Sequence, residues 1–148
     1  CPNDPDRLIL FSGHFGEGDG AIQTFDLTTG TESEPIIADA ELETTFASFA
    51  GSGERGIVLG NSYDYTSTVI YCVDLTDWSF TEGLVIEGYT GTVAADNHGK
   101  AWIGVPVVRN GAGDVTSTNG LQAFDIETCA ISGDLIETNL GPSSIAFY

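Results

Sequence analysis

The chain has 148 residues, of which 22 are acidic and 4 basic, for a formal charge of −18, yet 41% of it is hydrophobic. That charge repels phosphate backbones and anionic lipid surfaces and excludes nucleic acid as a partner. The hydrophobic share separates the chain from disordered acidic tails, and no stretch approaches the roughly 20 apolar residues of a membrane-spanning helix.

In chain order the first element is RLILFSG (Arg7 to Gly13), a basic residue leading a short apolar run into glycine. The acidic loop HFGEGDG follows, then AIQTFDLTTG (Ala21 to Gly30). Here alternation of period two, the mark of a half-buried strand, runs into an apolar-Asp-apolar triplet and a polar turn. The Asp is placed to accept hydrogen bonds from the amides of that turn. SEPIIADAEL offers one more short strand.

The cycle then restarts with TTFASFAGSGE (Thr44 to Glu54), rich in small residues, and continues through RGIVLGN, NSYDYTST, VIYCVDLTDW and FTEGLVIEGY. A third cycle runs GTVAADNHGK, KAWIGVP, VVRNGAGDVTSTNG, LQAFDIETCA and ISGDLIETNL. PSSIAFY (Pro142 to Tyr148) returns to the small-residue type. Each unit therefore reads as a small inner strand, a basic-led strand, an Asp-ended strand and an outer strand, joined by turns rich in Gly, Thr and Ser.

The spacing is regular. Asp26 to Asp74 is 48 residues and Asp74 to Asp125 is 51. A path from Asp125 through the C-terminus and back to Asp26 is 49. The expected organisation is a single unit over 1–148, with a first repeat at about 143–148 plus 1–43, a second at 44–90 and a third at 91–142. SSIAFY then supplies the innermost strand of the repeat that CPNDPDRLILFSG continues.

Four-stranded repeats of this period are the blades of β-propellers. The run NPDRLILF with IQTFDLTTG resembles the bacterial YVTN-type and related propellers, and ADNHGKAWIG is similar to a turn of NHL-like and two-component sensor propellers. The resemblance covers essentially the whole chain and implies an all-β fold of three four-stranded antiparallel blades. It is specific for architecture and not for function, because these families include binding modules, lactonases and scaffolds, and no catalytic motif carries over to residues of this chain.

Three blades are too few for the usual ring of four to eight. Two completions follow: a second copy making a six-bladed homodimer, or the remainder of a longer chain.

Three cysteines suit one disulfide and one remaining thiol in an exported, extracytoplasmic protein. Cys72 lies in an alternating strand and reads as a buried, inert thiol. In a propeller, Cys1 and Cys129 fall in loops of the same face on neighbouring blades, which makes them the candidate pair. Cys1 has two further readings, the lipid-bearing residue of a processed lipoprotein or a cut end.

Chemistry is sparse. His98 sits in the turn DNHGK and reads as a turn residue, whereas His14 lies in a long loop between second and third strands. The three loops of that type carry Asp19, Asp64 and Asp114, and with His14 and Tyr63 they make the candidate ligand face. Oxygen-only loops of this kind suit Ca²⁺, although none matches an EF-hand; zinc spacings are missing. Exposed aromatics here, Phe15, Tyr63 and Tyr65, suit a sugar or protein contact.

The favoured expectation is a non-catalytic binding or assembly module. The competing ones are a hydrolase or lactonase with a metal in the central channel, for which the inner strands offer only Asp96, and a fragment of a longer propeller with only a structural role.

Overall fold

Register between the basic-led and Asp-ended strands organises the molecule, here described from a computed structural model at residues 4–12, 20–96, 98–138 and 144–147. β1 (Arg7–Ser12) pairs with β2 (Ala21–Asp26), β6 (Arg55–Asn61) with β7 (Ser67–Asp74), and β10 (Lys100–Val105) with β13 (Gly120–Asp125), all antiparallel. In each pair the cation faces the aspartate: Arg7 lies opposite Asp26, Arg55 opposite Asp74 and Lys100 opposite Asp125.

β3 (Thr31–Glu32) and β4 (Ile37–Ala38) complete the first sheet, with a 3-10 turn at Asp39–Leu42 after it. The second sheet has the order β5 (Thr45–Ser52), β6, β7, β8 (Phe80–Glu87). The third joins β9 (Val93–Ala95) to β10 and β13, and carries β14 (Ala130–Ile131) and β15 (Ile136–Glu137) on the far edge of β13. The long connection from β10 to β13, expected as a loop, forms its own hairpin of β11 (Val108–Arg109) and β12 (Val115–Ser117).

Each aspartate ties down the turn that follows it. Asp26 Oδ1 accepts the amides of Thr28 and Thr29, both at 2.8 Å. Asp74 Oδ1 accepts the Thr76 amide at 2.9 Å, and its Oδ2 accepts Arg55 Nη1 at 2.5 Å. Asp125 Oδ1 accepts the amide and hydroxyl of Thr128 at 2.8 and 2.9 Å. All three carboxyls are held below the ordinary value of 3.8, chiefly by the threonine donors, with the facing cation a smaller cause.

The core consists of two joints between neighbouring sheets. Successive side chains of a strand point to opposite faces, so on β6 and β7 Val58, Tyr71 and Val73 face the first sheet while Ile57, Leu59, Ile70 and Cys72 face the third. Both faces of the second sheet are covered, which is why VIYCV, expected to alternate as a half-buried strand, is instead apolar throughout. Leu75 and Ile126, each next after its aspartate, are 5% and 2% exposed in these joints, whereas the equivalent Leu27 is 50% exposed on the outward face of the first sheet.

Outer strands are broken near the same place in each sheet. On β2 the pairing skips from Phe25 and Glu32 to Ile22 and Ile37, and on β13 from Phe124 and Ile131 to Leu121 and Ile136. Pro35, which has no amide hydrogen to donate, lies inside the first excursion. Gln23 and Gln122 bond the loosened carbonyls of Ser33 and Gly133 at 2.9 and 3.0 Å. In the second sheet the same region is a register shift between Val69 and Tyr71, and β8 stays continuous.

The expected pairing of Cys129 with Cys1 is corrected: Cys129 is bonded to Cys72, with Cα atoms 5.9 Å apart. Cys72 is accordingly not a free buried thiol. The reason is directional, since the turn after β13 leans onto the face of the second sheet, where Cys72 points. Cys1 lies outside the described residues. Gly83, in the β8 bulge, leaves the room: a Cβ there would meet Cys129 Sγ at 2.8 Å and the Ile70 carbonyl at 3.1 Å.

Residues 144–147, expected as the innermost strand of the first repeat, form no strand, and among the described residues β1 pairs only with β2. Such a strand needs a partner edge, and this chain does not bring the segment to β1.

Two outcomes follow. Gly83→Ala overpacks a rigid disulfide and should cost about 1–3 kcal/mol, a fall in Tm of roughly 3–9 °C; a Tm equal to the parent's would show that the bulge yields. Because the folded carboxyls bind protons less readily than unfolded ones, their contribution is complete above the unfolded value of 3.8 and is lost as pH falls through the lower folded value. Asp74→Asn should therefore be less stable than the parent at neutral pH, with the gap in Tm closing towards pH 3. A gap independent of pH would refute the assignment.

Candidate functional site

The candidate face is built from the connections that leave β1, β6 and β10. His14 and Asp19 lie outside the described residues, as does Phe15. Tyr63, Asp64 and Asp114 are described, and the structure places each in a turn with its own internal bonding.

Between β6 and β7 the chain reverses over Ser62 to Ser67. The Tyr65 amide donates to the Ser62 carbonyl at 2.8 Å, and Tyr65 takes a left-handed conformation with φ of 57°. Asp64 sits at the centre: its Oδ1 accepts the Ser62 hydroxyl at 2.7 Å, the Thr66 hydroxyl at 2.8 Å and the Thr66 amide at 3.2 Å. These bonds, the Ser62 hydroxyl foremost, hold its carboxyl below the usual value.

Asp114 closes the β11–β12 hairpin. Its amide donates to Asn110 Oδ1 at 2.9 Å and its Oδ2 accepts Asn110 Nδ2 at 3.2 Å, while Arg109 Nη1 donates to the Gly113 carbonyl at 2.8 Å.

The linker from β8 to β9 joins these two connections. Tyr89 meets Tyr65 with ring centroids 5.8 Å apart and planes tilted by 58°. Gly88, at φ of 89°, lies close enough to the hairpin that a Cβ would touch Pro106 at 3.0 Å and Val108 at 3.3 Å. The linker is anchored inside by Thr90, whose hydroxyl donates to the Gly104 carbonyl at 2.5 Å and whose amide donates to Thr68 Oγ1 at 3.0 Å. Tyr63, Tyr65 and Tyr89 are all exposed on this face. The structure thus brings Tyr65 to Tyr89 and sets the Asp64 turn and the Asp114 hairpin on either side of the linker.

Among the described residues no three His, Cys, Asp or Glu side chains converge as a metal site. Asp96, the inner-strand carboxylate, is engaged: Oδ1 accepts the amides of His98 at 2.7 Å and Lys100 at 3.1 Å, and Oδ2 accepts Trp102 Nε1 at 3.1 Å. Burial raises its pKa, but the indole and the two amides outweigh that and leave it lowered.

Sequence reasoning passed over a cavity of about 500 Å³ at the joint of the first two sheets. Thr24, Glu54, Thr76, Trp78 and Arg7 line it, and of the described candidate residues Tyr63, Asp64 and Asp114 do not. Trp78, at φ of 61°, follows its aspartate by four residues, as Cys129 follows Asp125. That shared offset was the available signal.

No protein-family model matches the chain, and no curated protein matches it. Among solved structures it is similar to the β-propeller domain of the Trilobed protease from Pyrococcus furiosus, described as revealing an open velcro topology. The TM-score is 0.60 at 12% identity, over 90% of this chain and 40% of that one. The chain spans less than half of the propeller it matches. At this identity the likeness speaks for the fold alone, and with the antiparallel sheets it makes this an all-β chain of β-propeller architecture.

Proposed function

We propose that the chain is a non-catalytic, extracytoplasmic binding or assembly module, half of a six-bladed β-propeller completed by a second copy. The observation that carries this reading is Leu27, 50% exposed where its equivalents Leu75 and Ile126 are 5% and 2% exposed. Among the described residues, the first sheet presents a joint-forming face with no neighbouring sheet against it. Leu8, also exposed, belongs to that face, and Ile136 to the outward face of the third sheet. A second copy offers each face the other.

Extracytoplasmic placement is supported by the Cys72–Cys129 disulfide, since such bonds persist in oxidising compartments. Kinship with YVTN-type or NHL-like propellers rests on the motif matches of the repeats. Ligands would meet the face of His14, Asp19, Tyr63, Asp64 and Asp114, with Ca²⁺ the ion its oxygens suit. The alternative, a channel-metal hydrolase, would need Asp96 to release the three donors it holds.

Two copies of charge −18 repel each other, and salt screens that repulsion. Sedimentation or native mass should therefore show a species of twice the 15.6 kDa chain, favoured by higher salt. Leu27→Asp removes an apolar contact worth about 2 kcal/mol from each of two joints and should weaken association by roughly a thousandfold. A monomer at every concentration and salt would reject the composite ring.

A further inference from the structure

The second and third sheets each have a strand on the edge of the basic-led strand that faces away from its Asp-ended partner: β5 lies on β6 and β9 on β10. β1 is the third member of this series, placed by Arg7 opposite Asp26 as Lys100 is placed opposite Asp125. Its corresponding edge has no strand among the described residues.

The register of β9 on β10 sets Ala101 opposite Ala95, Trp102 opposite Ala94 and Ile103 opposite Val93. The segment Ile145-Ala146-Phe147 matches Val93-Ala94-Ala95 in a β-branched residue followed by Ala, with the larger Phe147 in the place of Ala95. Carried onto β1, the register sets Leu8 opposite Phe147, Ile9 opposite Ala146 and Leu10 opposite Ile145. Leu8 is 45% exposed and Phe147 47% exposed. Pairing them would cover both, since directly opposed side chains on adjacent strands are in contact.

The chain does not make this pairing with itself. Leu27 lies open on the outward face of the first sheet. Ile136, paired with Leu121 on the side of β13 opposite Phe124, lies open on that of the third. The two end sheets therefore do not abut, and residues 144–147 stay without a strand beside them.

We infer that residues 145–147 of one copy add to β1 of a second copy as its innermost strand, in the register Phe147 to Leu8, and that the exchange is reciprocal. Strand addition to an open edge gives main-chain hydrogen bonds, and two-fold reciprocity closes the assembly without leaving a free edge. The inference rests on the self-association proposed above and specifies the contact that makes it.

Paired residues of adjacent antiparallel strands have Cα atoms about 4.5–5.5 Å apart, within reach of a disulfide. The test mixes Leu8→Cys and Phe147→Cys single variants, each in a Cys1→Ser background, under mild oxidation. Because neither chain holds both new thiols, a bond between positions 8 and 147 joins two copies. The expected product is a covalent species of twice the chain mass, mapped by mass spectrometry to 8–147 and returned to chain mass by reductant.

Native mass of each variant is read first. A dimer that yields no 8–147 bond overturns the register and leaves self-association standing, whereas a monomer overturns both. A double variant, Leu8→Cys with Phe147→Cys, that closes within one chain overturns the exchange. Independently, Ala146→Pro should abolish the dimer with circular dichroism unchanged, and a dimer that survives it overturns the inference.

Discussion

A carboxylate at the end of β2, β7 and β13 holds the turn after it, opposite a cation on the facing strand, and the sheet joints follow from where that turn leaves the next side chain. Asp26, Asp74 and Asp125 fix their turns through threonine amides and hydroxyls. Leu75 and Ile126 are thereby aimed into the joints. Only four basic residues are present against 22 acidic ones, and three of them stand opposite these aspartates. Arg55 also reaches Glu127 of the next sheet at 3.6 Å. Such an exposed pair is worth about 0–1 kcal/mol at most, so it orients the joint while apolar burial supplies most of its stability.

Four residues past each aspartate the backbone is left-handed: Gly30 at φ of 70°, Trp78 at 61° and Cys129 at 55°. For a residue with a side chain this conformation costs about 1–2 kcal/mol. Trp78 and Cys129 offset that cost by reaching the neighbouring sheet. Trp78 packs against the apolar cluster of the first joint. Cys129 bonds Cys72 across the second, closing a loop of 57 residues, on the order of 4 kcal/mol in the chain-entropy account. Gly30, on the exposed face, would have nothing within 4 Å of an added Cβ. One turn geometry thus accommodates an aromatic plug, a covalent staple and an unoccupied position.

The repeat was legible because its signals are local. Alternation, a leading cation and a closing Asp each act within a few residues, and strands formed where those signals stand, whereas residues 144–147, expected as an inner strand, form none. Which cysteine pairs with Cys129 depends on which face of β7 a side chain joins and which way the next turn leans. Only the joint decides that, so Cys72 was read as inert. The broken outer strands were half legible, since Pro35 forbids a continuous ladder, but nothing local to ISGDLIETNL announces the same excursion. Trp78 carries no signal in its immediate neighbours; only its offset of four residues from Asp74, shared by Cys129 and Asp125, marks it. Of the candidate face, residue types predicted the turns but not that Asp64 and Asp114 would be consumed by them.

That consumption bears on what the loop face can recognise. A cation approaching Asp64 would compete with two hydroxyls and an amide on the same oxygen. At Asp114 it would compete with the Asn110 amide that closes the hairpin. Displacing either set loosens the turn that presents the carboxylate, so an ion would have to enter on the other oxygen of each carboxylate. Tyr65 and Tyr89 meet across two connections and keep exposed surface, and Tyr63 stands exposed beside them. Rigid aromatic surfaces with a polar tip lose little entropy on contact. On the proposed ligand face, aromatic surface is therefore displayed on turns whose acids hold them in shape.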